Sequence, residues 1–206
     1  MRREKQIILA ARILSMLFSP FYLPLTGLLA LFLFSYLSIF PLVYKLQVLI
    51  LVYLFTILLP TVMIHLYRRF QGWNLIELSL RERRMVPYII SIVSYFTCIY
   101  LMELSHMPHF MSSIVVAGLV VQIACAVANI WWKVSTHTAA IGGVAGALFG
   151  FAEYLNFNPV WWLCLIFIIA GLVGSSRMVL RQHTIGQVVG GFWLGFFCAA
   201  VAILFL

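Results

Sequence analysis

Residues 109–154 read HFMSSIVVAGLVVQIACAVANIWWKVSTHTAAIGGVAGALFGFAEY, two apolar runs parted by Lys133-Val134-Ser135-Thr136-His137. Each run, 109–131 and 137–154, is close to the roughly 20 residues that carry a helix through the hydrocarbon core. A chain in lipid must satisfy its backbone polar groups within itself, which favours helices over open strands. The pattern repeats downstream, where Ser176-Arg177 through His183 to Gln187 separates the runs 160–176 and 184–205. These two polar stretches, set at the ends of apolar helices, predict an all-α integral membrane protein with its chemistry at one end of a bundle.

The composition agrees. The chain of 206 residues is 65% hydrophobic and 9% charged, against about 25% charged in a soluble domain. Seven transmembrane helices are expected, over about 13–38, 44–66, 86–104, 109–131, 137–154, 160–176 and 184–205, forming one domain over residues 1–206. Ser19-Pro20-Phe21-Tyr22-Leu23-Pro24 interrupts the first, and two prolines so close together favour a kink or a re-entrant turn. The opening Met1-Arg2-Arg3-Glu4-Lys5 precedes an apolar stretch without a small-residue cleavage site, so it reads as leading into an uncleaved span. Tyr67 to Arg84 reads as a loop carrying a short amphipathic surface helix. Cys98, Cys125, Cys164 and Cys198 all fall inside apolar runs, which argues against a disulfide framework.

The net charge of +8 suits anionic headgroups and, with so little soluble surface, not nucleic acid. Two spans separate His137 from His183, so both lie on one side of the membrane. Counting seven crossings puts twelve of the thirteen basic residues on that side and only Lys45 on the other. Basic loops stay cytoplasmic, which leans the site toward the cytoplasmic face. If 13–38 does not cross, the tally is eight against five.

Ionisable groups near a bilayer core are costly and read as functional. The two polar stretches together hold two histidines, Lys133, Arg177, Arg181, Ser135 and Ser176. Arginine grips two phosphate oxygens as a fork and lysine adds a point charge; helix N-termini add unpaired N–H groups. This inventory suits a phosphate and needs no metal or other cofactor. Arg81 and Arg84 are possible further phosphate contacts, although Arg81-Glu82-Arg83-Arg84 also reads as a topogenic or headgroup patch. His65, His106 and His109 read as interfacial polar groups, Trp131-Trp132 and Trp161-Trp162 as belt residues, and Gln122 and Asn129 as interhelical hydrogen-bonding groups. Gly142, Gly146 and Gly150, with Gly186, Gly190, Gly191 and Gly195, predict close packing of the fifth and seventh spans.

Ser176-Arg177, five residues, His183, three residues and Gln187 resembles the Ser-Arg-x5-His-x3-Asp signature of the type 2 phosphatidic acid phosphatases. Ser135-Thr136-His137 resembles that family's Pro-Ser-Gly-His element. The resemblance starts near residue 110 and implies a six-helix phosphatase-like core, about 86–206, plus one helix. It implies hydrolysis of a membrane-embedded lipid phosphomonoester or diphosphate: phosphatidic acid, phosphatidylglycerophosphate, a polyprenyl diphosphate or a lipid A phosphate. It further implies a phosphohistidine on His183, His137 as acid and then base, and Arg177, Ser135 and Lys133 around the phosphate. The expected location is a bacterial inner membrane, although the family's site usually opens to the outer side.

Three departures stand out. The family's upstream Lys-x6-Arg-Pro element is absent, Thr136 replaces glycine, and Gln187 replaces the aspartate expected to orient His183, in a chain with no aspartate. Glu77 or Glu82 is a candidate source of the missing negative charge. Two other functions stay open: a degenerate relative that binds anionic lipid without turnover, and a haem protein using the paired histidines.

Overall fold

The computed structural model describes residues 2–34, 36–72 and 82–205. They form eight principal helices: α1 (Arg2–Leu17), α2 (Leu23–Phe34), α3 (Leu42–Phe70), α4 (Met85–Leu104), α5 (His109–Trp131), α6 (Thr136–Leu155), α7 (Val160–Val179) and α8 (Ile185–Leu204). Short 3-10 turns lie at Tyr36–Ile39 and Glu82–Arg84. Among the described residues, α3 to α8 are the helices long and apolar enough to cross a membrane.

The count of candidate spans is therefore six, where the sequence predicts seven. The expected helix over 13–38 is two helices: α1 stops at Leu17, a turn runs through Phe18–Tyr22, and α2 starts at Leu23. Pro20 supplies no N–H and biases Ser19 away from helical backbone. The expected surface helix within 67–84 falls on residues 73–81, outside the described residues.

α3 continues through Pro60, with a wider π turn over Leu54–Leu58 just before it. A proline inside a helix removes one hydrogen bond and crowds the carbonyl four residues back; a π bulge relieves both. Thr56 Oγ1 donates to the Val52 carbonyl at 2.8 Å within the same turn.

Two apolar clusters hold the helices together. In one, Leu28 and Phe32 of α2 pack with Val48 and Val52 of α3, Met102 of α4, and Met111 and Val115 of α5. In the other, Tyr88 of α4 and Val121 and Cys125 of α5 meet Ala139 of α6 and Ala199 and Ile203 of α8. Polar links add register between α4 and α5: Asn129 Nδ2 lies 3.9 Å from Met85 Sδ, and Gln122 hydrogen-bonds Tyr95.

The closest helix pair is α6 with α8, as the glycine spacing predicts. A Cβ on Gly142 would overlap the Phe192 carbonyl, one on Gly146 the Phe196 carbonyl, and one on Gly195 the Ala139 carbonyl. Residues later in α6 meet residues later in α8, so the two helices run parallel and present their N-termini at the same end of the bundle. Small residues permit this approach, and dispersion then holds backbones together where lipid offers no hydrophobic drive.

Candidate functional site

The shared end of α6 and α8 carries the two histidines. Ser135 caps α6: its Oγ accepts from Thr138 N at 3.5 Å, and His137 follows in the first turn. Thr184 caps α8, and Gln187 completes a reciprocal capping box with it, leaving His183 just outside the helix. Ser135 N donates to the Gln187 carbonyl at 3.3 Å, which ties one cap to the other.

His183 is 7% exposed. Its Nδ1 lies 3.0 Å from Gln187 Oε1. An amide oxygen only accepts, so Nδ1 carries the proton and Nε2 presents a lone pair. That Nε2 is buried and has no hydrogen-bond partner among the described residues. Burial pushes the His183 pKa down to about 3. The Gln187 bond pulls the other way, and the positive charges of Arg84, Arg177 and Lys133 push it further down. The ring is therefore neutral near pH 7, the form that can act as a nucleophile.

Arg177, on the last turn of α7, is 8% exposed. Its Nη1 donates to Ser15 Oγ at 2.6 Å, and its Nε is buried without a partner among the described residues. His137 lies within electrostatic reach of Arg177, His183 and Arg84, and its ring is hydrogen-bonded to the Ser15 backbone. His137 Nδ1 is also buried without a partner among the described residues. Buried polar atoms are nearly always paired, so three such atoms on three neighbouring side chains mark a place for a polar ligand.

Two further cations face this place. Lys133, in the loop before α6, has its pKa lowered by burial and then by Arg84 and Arg177. Arg84, at the start of α4, is held below its ordinary value by burial, with Tyr88 opposing; its Nη1 reaches the Val134 carbonyl at 3.5 Å. Like charges brought this close repel, and an anion between them turns that repulsion into attraction.

The remaining expected site residues stand differently. Ser176 is buried, and its hydroxyl donates to Leu172 O at 2.8 Å within its own helix, so its proton is turned away from an anion. Arg181 is exposed at the turn after α7, in left-handed backbone with φ 52°. Arg81 and Glu77 lie outside the described residues, as does the side chain of Glu82. The Ser135 hydroxyl oxygen serves the α6 cap. Trp132 lays one edge of its ring over Gly190 of α8 and is otherwise exposed, as is Trp131.

Sequence reading misses Ser15 altogether, since it lies far upstream of both polar stretches. The one available signal is its spacing from Ala11, four residues earlier, which forms a small-residue face on α1. Both are buried.

Beneath the charged cluster a partly open cleft enters the bundle. A cavity of about 940 Å3 runs from Arg84, Thr136 and His137 along α6 to Leu155, walled by apolar residues that include Phe18, Leu31, Val144, Phe151 and Ile166. At 1.5 Å per residue, the eighteen steps from His137 to Leu155 span about 27 Å, close to the ~30 Å thickness of the hydrocarbon core. The N-terminal turn and α2 supply one side of this chamber.

Residues 129–206 match the family model of the PAP2 superfamily, consistent with a PAP2-type member. The match takes in α6, α7 and α8 with Lys133, Ser135, His137, Arg177, His183 and Gln187, and leaves out α1 to α4. No curated protein and no solved structure matches the chain.

Proposed function

We propose that this protein is a membrane phosphatase that removes phosphate from a lipid phosphomonoester or diphosphate through a phosphohistidine on His183. The observation that carries the reading is the set of buried atoms without a partner among the described residues, His183 Nε2, Arg177 Nε and His137 Nδ1, on side chains close to Arg84 and Lys133. A nucleophile, a forked cation and a second imidazole are the groups that phosphoryl transfer requires. The PAP2 match over residues 129–206 supports the phosphatase class.

In the proposed reaction His183 Nε2 attacks phosphorus, a P–N bond forms, and the bond to the leaving lipid oxygen breaks. His137, protonated once the negative phosphate is seated beside it, gives that oxygen its proton. Arg177, Arg84 and Lys133 stabilise the charge on the non-bridging oxygens. Water, deprotonated by His137, then attacks phosphorus and breaks the P–N bond, releasing inorganic phosphate and restoring both rings. The apolar chamber next to His137 supports a lipid as substrate, with its hydrocarbon within the bundle and its phosphate among the cations.

From α3 onward, the site end also carries Arg68, Arg69, Arg83 and Arg84, with Lys45 at the start of α3 at the other. This bias favours a cytoplasmic site in an integral protein of a bacterial inner membrane. Binding of anionic lipid without turnover is the second reading, and the neutral amide of Gln187 behind His183 favours it. Phosphate release from a panel of lipid phosphates, in detergent and without added metal, separates the two. Release that is lost in His183→Ala supports the phosphatase; binding without release supports the alternative.

A further inference from the structure

The N-terminal helix α1 lies outside the PAP2 match, yet it reaches the centre of the site. Ala11 and Ser15, one turn apart and both buried, form the small face that lets α1 pack against α7. Ser15 sits where that face meets Arg177, and Arg177 Nη1 donates to its hydroxyl oxygen at 2.6 Å. The guanidinium is 8% exposed and held at Nη1, and its Nε is buried without a partner among the described residues.

We infer that Ser15 is a positioning residue of the anion site, acting through Arg177. By taking Nη1, the Ser15 hydroxyl aims the Nε edge of the fork at the place where a phosphate oxygen binds. Without that acceptor the guanidinium loses a charge-assisted hydrogen bond in a buried setting, where a partner counts for most. It then turns to find another acceptor, and its open edge leaves the anion. The same residue touches the other side of the site, because its backbone is hydrogen-bonded to the His137 ring. One residue of α1 thus registers two groups contributed by α6 and α7.

The inference rests on the phosphate-binding reading of the site and is tested with inorganic phosphate as the probe. Full-length protein in detergent is titrated calorimetrically, and turnover of a lipid phosphate is measured alongside. Ser15→Ala is expected to weaken phosphate binding about tenfold or more, to raise KM more than it lowers kcat, and to leave the thermal midpoint within a few degrees. Ser15→Thr, which keeps the hydroxyl, is expected to bind phosphate nearly as wild type does. If Ser15→Ala does not fold, Ser15→Cys, of similar size but a poor acceptor, takes its place with the same expected weakening.

Unchanged phosphate affinity in the Ala or Cys variant overturns the inference. Tighter binding overturns it too, because Ser15 would then be competing with the anion for Arg177. A folded Ser15→Thr that binds as weakly as Ser15→Ala shows a packing role and has the same consequence. Absence of phosphate binding in the wild-type protein overturns both this inference and the reading beneath it. Ser15-dependent phosphate binding without hydrolysis of any lipid phosphate upholds the inference while the phosphatase reading fails.

Discussion

Gln187 Oε1 accepts two hydrogen bonds at once, from His183 Nδ1 at 3.0 Å and from Thr184 N at 3.3 Å. One amide oxygen thereby caps α8 and fixes the tautomer of the ring just before it. Position 187, where a family pattern places a carboxylate, keeps the geometry of that arrangement and drops its charge. Gln187→Leu is expected to lower activity and to cost about 1 kcal/mol of stability through the lost cap. Gln187→Glu retains the length and both hydrogen bonds while adding charge beside an imidazole that becomes positive during attack. A gain of about tenfold in kcat, near 1.4 kcal/mol, is expected. Kinetics and thermal midpoints of the two variants check both statements.

The low pKa of His183 has a stability consequence with a definite sign. Its value is about 3 in the folded protein and about 6.5 in an unfolded chain. Between these limits the unfolded chain binds the proton and the folded protein does not, so stability is full above pH 6.5 and falls as pH drops toward 3. In detergent at pH 5 and without phosphate, the nitrogen NMR shifts of the His183 ring are expected to be those of neutral imidazole. A titration centred near 6.5 would show that the ring is neither buried nor surrounded by cations.

The contact of α6 with α8 fixes the two histidines relative to each other, and it depends on missing side chains. Gly195→Ala places a methyl group against the Ala139 carbonyl and is expected to cost about 1–3 kcal/mol together with most of the activity. Gly171→Ala, where nothing lies within 4 Å of the added carbon, is expected to leave both unchanged. Thermal melts and phosphate release from the two variants test the contrast.

The role of His137 shows in its dependence on the leaving group. A lipid alkoxide needs a proton to depart, and an activated aryl oxide does not. His137→Ala is expected to slow release from a lipid phosphate by about 100-fold or more and from an aryl phosphate much less. Equal losses on the two substrates would remove His137 from the acid role.

Much of this architecture is legible in the sequence because lipid imposes a single rule: long apolar runs become helices, and charge collects at their ends. The parallel contact of α6 and α8 follows from glycines four apart, and the cluster of Lys133, His137, Arg177 and His183 follows from counting two crossings between the histidines. What escapes depends on angles and distances that composition does not encode. Pro20 and Pro24 signal a break, but not that α1 turns back to set Ser15 against Arg177. The Ser176 hydroxyl looks available for a phosphate, yet a serine within a helix in lipid readily turns to the carbonyl four residues back. Arg84 is legible as a further phosphate contact, but its approach to the Val134 carbonyl, fifty residues away, is not, because it depends on where α4 begins.

The central claim is that His183 Nε2 takes the phosphoryl group. The most direct measurement is to mix the protein with a lipid phosphate carrying radiolabelled phosphorus, quench in alkali within the first turnover, and map the labelled peptide. The account predicts an alkali-stable, acid-labile label on His183, absent in His183→Ala together with all phosphate release. Continued release by His183→Ala, or a label on any other residue, would contradict it.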